Sequence, residues 1–336
     1  MRRAALLVLL LVMTFGLAFA QDEVLIDFNQ LTPDFPADNP THNSRTVLDY
    51  SSAAGSSFTD EERAQMRISL AIDDWEVDLS PSSRTVETIS GTLVRPAIVS
   101  ENAQQFAGET VLGVRVSFPT EPFNGWALVR PPFEIPAYQD LDDIAADGTL
   151  TVAQGEETLG RKFDNFGVVK NVGVLRSVSV NVFNNNFPYR LSIILQDENN
   201  EQQEIVLGDL ANDGWRELTW NNPNYIQSVR NRELRAFPLY PNLAPLRKLI
   251  GFRIYRDASV EGGDFVTYIK DVRLTFDRAV LDLERDINDE AVWGILEERE
   301  RARREAELGR VGNVQVLRFI EAQKQFDPEA DGGDVQ

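Results

Sequence analysis

The chain has 336 residues, with 53 acidic against 33 basic side chains, a formal net charge of −20, no cysteine and one histidine. So acidic a chain repels the phosphates of nucleic acid and the headgroups of anionic lipid. Without cysteine there are no disulfides, thiolate metal sites or cysteine nucleophiles, and His42 alone cannot build a multi-histidine zinc site.

Residues 1–20 read as a signal peptide. Arg2 and Arg3 give a positive start, Ala4 to Val12 is apolar, and Ala18-Phe19-Ala20 is an A-x-A signal that places cleavage after Ala20. The apolar run is too short for a membrane span, which takes about 20 residues. No second long apolar run follows, so the mature form is expected to be soluble, exported and free of the membrane. Without the leader, 31 basic residues stand against 53 acidic ones, a balance of −22.

Val24 to Phe28 reads as a first strand, and the stretch to about Ser57 is rich in loop-forming Pro, Asn, Asp, Ser and Thr. Thr59-Asp60-Glu61-Glu62 opens a short helix through Met66. Trp75, Val77 and Leu79 alternate until Pro81. From Val111 to Phe118, Leu112, Val114, Val116 and Phe118 face one way. Phe123-Asn124-Gly125-Trp126 reads as a turn, with a return strand from Ala127. Residues 137–165 carry no sustained period and read as a surface excursion.

In the second half Val178, Val180 and Val182 alternate, and Asn184-Asn185-Asn186 breaks the run. Tyr189, Leu191, Ile193 and Leu195 form one arm of a hairpin whose turn is Asp197 to Asn200 and whose other arm includes Ile205 to Leu207. Leu218 and Trp220 share a strand, and Pro223 to Pro245 is loop-like. From Leu249 to Phe276 the pattern is strand, reversal at Glu261-Gly262-Gly263-Asp264, strand. Ile250, Phe252 and Ile254 mark one buried face; Val272, Leu274 and Phe276 mark the other. Nine or ten short strands without alternating helices give an all-β fold. It is an antiparallel β-sandwich or jelly roll, galactose-binding-like, with a C-terminal α-helical extension. Strands at both ends of the domain pair the first strand near Val266 to Phe276.

The helical part starts near Asn288, with Asp289 and Glu290 in the first turn. Glu297 precedes Arg301 by four, as Glu300 precedes Arg304, each pair worth about 0.2–0.5 kcal/mol, so this segment is expected to lie in water or on a polar partner. Gly309 and Gly312 read as its end, and Val314 to Phe326 as a second amphipathic helix. The organisation is a signal peptide (1–20), a β-sandwich with long loops (21–285), a helical extension (286–326) and a disordered acidic tail (327–336).

Catalytic patterns are missing. There is no G-x-S-x-G elbow, phosphate loop or dinucleotide fingerprint. Asp286, Asn288 and Glu290 are spaced like calcium ligands, but Ala291 stands where that loop needs Gly. No cofactor, metal or enzymatic activity is expected. Trp126, Trp215 and Tyr225 are candidates for a sugar-stacking face, the alternative being a place in the core.

FRIYRDASVEGGDFVTYIKDVRLTFDRAV, followed by LERDINDEAVWGILEERE and VQVLRFIEAQK, resembles the FlaA family of spirochaete flagellar filament outer layer (sheath) proteins. The resemblance is strongest over 249–325. It implies a structural subunit of the sheath of the periplasmic flagellum, in the periplasmic space, that coats the flagellin core and contributes to filament stiffness, coiling and motility. The implied partners are core flagellin filament proteins and other sheath subunits. Candidate contacts are Trp293, Ile295, Leu296, Arg299, Arg303, Leu317, Phe319 and Ile320. The alternative is a periplasmic carbohydrate-binding jelly roll.

Overall fold

The computed structural model describes residues 21–31, 45–138, 163–225, 236–238, 245–278, 280–282 and 292–326. Two six-stranded sheets enclose one core. The first runs β12 (Asp213–Asn221), β9 (Val172–Asn185), β15 (Gly263–Arg278), β6 (Thr110–Phe118), β5 (Leu93–Ile98), with β1 (Gln21–Asp27) also on β15. The second runs β11 (Gln202–Asp209), β10 (Arg190–Gln196), β14 (Leu246–Arg256), β7 (Gly125–Arg130), β4 (Glu76–Leu79), with β8 (Val168–Lys170) on β14. Two small pairs lie outside them: β2 (Val47–Asp49) with β3 (Arg67–Ser69), and β13 (Ala236–Pro238) with β16 (Val280–Asp282). The helices are α1 (Asp60–Ala64), α2 (Val86–Gly91) and α3 (Ile295–Phe326).

The alternating apolar residues face the core. Leu112, Val114 and Val116 of β6, Val178, Val180 and Val182 of β9, and Leu191, Ile193, Phe252 and Ile254 of the other sheet are fully buried. Each such side chain contributes about 1.5–3 kcal/mol relative to exposure. The first strand pairs with β15 as expected, Val24 opposite Arg273 and Gln21 opposite Phe276.

The stretch 249–276 differs from a simple hairpin. Its two strands lie in opposite sheets, each a central strand. Both bury their apolar faces in the same core, so residues 257–262 arch over the sandwich end. Two register shifts adjust the faces. On β14 the shift between Leu249 and Gly251 buries Leu249 and leaves Ile250 half-exposed. On β15 the shift between Ile269 and Asp271 lets Phe265, Thr267 and Ile269, then Val272, Leu274 and Phe276, all point inward.

The turn after β6 also crosses between sheets, because β7 joins β14 and β4 rather than returning along β6. The buried Arg256 ties the two arches together: its guanidinium donates to the carbonyls of Pro119 (2.7 Å), Glu121 (2.9 Å) and Val260 (2.9 Å). A Cβ at Gly262 would collide with the Pro119 carbonyl, and Gly263 has φ +113°. The two glycines therefore serve the arch.

At α1, Thr59 and Glu62 form a reciprocal capping box. The helix ends at Ala64, and the fully buried Met66 packs with Tyr50 and Ala54 in a second small core. The C-terminal segment departs most from its sequence pattern. Gly309 and Gly312 do not stop it, and α3 runs unbroken from Ile295 to Phe326. Residues 298, 299, 301, 302, 305 and 306 are exposed, in line with the charge pattern of that segment, whereas farther along Val311, Gly312 and Gln315 are buried against the rest of the chain. The expectations for 1–20, His42, 139–162, Asp286 to Ala291 and 327–336 lie outside the described residues.

Candidate interaction surface

Polar contacts fix α3 along one side. Glu134 bridges Lys248 of β14 and Arg310 of α3, each at 2.8 Å. Burial pushes the Glu134 carboxyl up, but the hydrogen bonds and charges of Lys248 and Arg310 outweigh it and hold the group below its ordinary value. Gln315 and Arg318 both donate to the Pro132 carbonyl, and Arg318 pairs with Glu76 at 3.0 Å. Glu307 accepts from the Ala137 amide at 3.1 Å and from Arg303 at 3.0 Å. On the apolar side Val316 and Phe319 close the small core, Phe319 meeting Phe58 edge-on at 6.4 Å.

This docking divides the helix residues singled out in the sequence. Arg303 is half-buried and pairs with Glu307 of its own helix, and Phe319 packs on the small core of Tyr50, Ala54 and Met66. Ile295 and Ile320 are half-buried, and the side chain of Leu296 lies outside the described residues. Arg299 is exposed, as are Trp293 (66%) and Leu317 (62%). Val292 and Val314 are exposed too. Sequence reasoning passed over Val314 as a contact, because without the docked face its side of the helix cannot be told from the other.

The sugar-stacking candidates do not share a face. Trp126 lies on the outer side of the second sheet under the Arg253 guanidinium (5.0 Å), beside Tyr255 and Glu204. Tyr225 follows β12, donates to Asp277 at 3.2 Å and lies under Arg176. Trp215 is on the outer side of the first sheet, edge-on to Phe106 (4.8 Å) and Phe183 (5.5 Å). Trp220, on the same strand, is half-buried and packs against the core.

Around Trp215 there is a cleft of about 270 Å³, lined by Ile98, Val99, Val111, Phe183, Trp215 and Tyr268. Loop 99–109 folds over it and carries Phe106. Over the Phe106 ring, at 5.6 Å, Lys270, only 4% exposed, reaches Asp27 (2.7 Å) and Glu109 (2.8 Å). Burial alone lowers the Lys270 pKa, but the bonds to Asp27 and Glu109 and the charges of Asp27 and Asp271 win and raise it. Sequence reasoning missed the cleft: Ile98 sits in a run interrupted by Pro96, and Phe183 and Tyr268 read as outward strand positions.

Among the described residues no group of three or more His, Asp and Glu is placed to hold a metal, and no helix is long and apolar enough to cross a membrane. The fold is an antiparallel β-sandwich of the jelly-roll class with an ordered C-terminal helix and separate exposed apolar patches. The chain belongs to the FlaA family of flagellar filament outer layer proteins, whose model matches residues 39–285. It is 48% identical to the flagellar filament outer layer protein of Spirochaeta aurantia over 94% of this chain and 90% of that one. The corresponding Treponema pallidum protein is 45% identical over 96% and 94% of the two chains. Among solved structures, a module in complex with β-1,4-galactotriose is 10% identical with a TM-score of 0.28, covering 61% of this chain and 90% of that one. A family 11 carbohydrate-binding module of a Clostridium thermocellum cellulase is 13% identical with a TM-score of 0.24, covering 63% and 91%. At these scores no ligand follows from either likeness.

Proposed function

We propose that this chain is a structural subunit of the outer layer of the periplasmic flagellar filament, exported to the periplasm with cleavage after Ala20. In this reading it coats a core of flagellin and stiffens the assembled filament. Membership of the FlaA family, with relatives of the same name along nearly the whole chain, carries the reading. The sandwich is the rigid body, and the docked α3 adds a firm outer ridge. The exposed Val314 and Leu317, one helical turn apart on that ridge, are the side chains assigned to the flagellin core. Filament neighbours hold each subunit in place, so each contact can be weak while the coat stays attached.

The test is sedimentation of purified mature protein with bare flagellin cores. Wild-type protein is expected in the pellet with the cores. A Val314→Glu/Leu317→Glu variant, changed only at exposed positions, is expected to bind at least about tenfold more weakly, a loss of about 1.4 kcal/mol. Wild-type protein left in the supernatant refutes the coat reading. A double variant that pellets like wild type refutes the assignment of this ridge.

A further inference from the structure

We infer that loop 99–109 is a hinged flap latched by Phe106, and that its opening uncovers an apolar strip on the outer side of the first sheet. The strip is Val111, Phe183, Trp215 and Tyr268, which line the sheet side of the cleft; Val99, Ser100 and Ala103 line the flap side. Val111 shows that the strip is covered. Its neighbour Leu112 points into the core, so Val111 points outward, yet it is only 2% exposed.

The loop is pinned at its neck. There the Val99 amide donates to the Glu109 carbonyl (2.9 Å), and the Gly108 amide to the Val99 carbonyl (3.0 Å). The Glu109 carboxylate holds the Lys270 ammonium at 2.8 Å. The tip has no such anchor. Among the described residues its hydrogen bonds stay inside the loop: the Ala103 amide donates to the Ser100 carbonyl and the Asn102 amide to the Ser100 hydroxyl. Residues 100–102, 104, 105, 107 and 108 are exposed. The tip reaches the sheet through Ala103, in the cleft, and through the Phe106 ring, which meets Trp215 edge-on at 4.8 Å.

That ring is held at a backbone cost. Phe106 has φ +56°, the left-handed region, where a bulky side chain is an outlier. Gly108, at φ +75°, supplies the backbone freedom of a hinge. Strained residues of this kind gather at clamps and switch segments. Opening releases Phe106 to ordinary backbone angles while the neck stays fixed. A segment with so few buried contacts opens well before the whole fold. The device belongs to the single molecule and holds whether or not the chain coats a filament.

The chain has no cysteine, so one introduced thiol reports one place. Val111→Cys puts it under the flap, and Val180→Cys puts it in the shared core, where the side chain is 0% exposed. N-ethylmaleimide in native buffer is expected to modify the Val111→Cys thiol at least about 100-fold faster than the Val180→Cys thiol, because the core thiol waits for the whole fold to open. Low urea is expected to leave the first rate nearly flat and to raise the second steeply. Adding Phe106→Ala is expected to speed the first at least about tenfold, the ring being the latch. In the unmodified chain the Glu109 amide, bonded to the Phe106 carbonyl at 3.0 Å, is expected to exchange its hydrogen with the same flat urea dependence. The inference is overturned if the Val111→Cys thiol matches the Val180→Cys thiol in rate or urea slope, for the loop then opens only with the fold. It is overturned too if that thiol reacts as fast as a free one, since the flap then covers nothing, or if Phe106→Ala leaves its rate unchanged.

Discussion

Gly309 and Gly312 lie in the same helix, three residues apart, yet alanine at the two positions should act in opposite directions. A Cβ at Gly309 meets nothing within 4 Å. There Gly309→Ala adds helix propensity and should stabilise by about 0.8–1.0 kcal/mol. A Cβ at Gly312 would lie 2.3 Å from the Ala53 Cβ and 3.6 Å from the Tyr50 Cβ. Carbon atoms pack at about 3.5–4.0 Å, so α3 must retreat by roughly 1.2 Å or more. That retreat loosens the Gln315–Pro132 bond, now 3.2 Å, and the contact of Phe319 with Phe58. Overpacking of this kind costs about 1–3 kcal/mol. Set against the propensity gain, Gly312→Ala should destabilise by about 0–2 kcal/mol. Urea unfolding followed by circular dichroism measures both changes, and hydrogen exchange of amides 304–318 shows whether the docked segment opens first. A double-mutant cycle with Ala53→Gly should return most of the Gly312→Ala loss. If Gly312→Ala stabilises as much as Gly309→Ala, or Ala53→Gly rescues nothing, the close helix docking is wrong.

Acid should loosen the same helix. The Glu134 pKa is held below its ordinary value, so the stability it contributes is present above the unfolded carboxyl pKa, about 4.5, and is lost as pH falls through the lower folded value. Glu134→Gln should flatten the stability-against-pH curve below about pH 4.5, read by urea titration at several pH values. Lys270→Met removes the cation shared by Asp27, Glu109 and the fully buried Asp271, and should lower stability by a few kcal/mol, nearer ~3 than ~5 because Glu109 keeps some water; an unchanged urea midpoint contradicts this. With about −22 per mature subunit, the coat should detach as salt falls and the Debye length grows from ~8 Å to ~30 Å. Pelleting coated filaments across a salt series measures this, and a coat indifferent to salt contradicts it.

Period-two alternation made the strands and their inner faces legible in the sequence, from Leu112–Phe118 to Val178–Val182. It could not assign partners. The runs around Phe252 and Leu274 point their apolar faces into one core whether they pair side by side or face each other across it. The choice is made by Arg256 and Gly262 at the arches, long-range contacts with no local pattern. Bulges are equally silent: Leu249, not Ile250, enters the core because one residue is unpaired. Gly309 and Gly312 misread as stops because propensity is a local cost, while the burial of Val311 and Gln315 comes from segments nearly two hundred residues or more away. That the C-terminal segment is helical, and its charge pattern, were legible. The cleft was not, since it exists only where loop 99–109 folds over β9, β12 and β15.

The central claim is that this chain is a filament coat. Mass spectrometry of periplasmic flagella purified from the native cell, with gold-labelled antibody on the same filaments in the electron microscope, tests it most directly. The account predicts abundant protein and label along the filament length. Bare filaments, with the protein free in the periplasm, would contradict it.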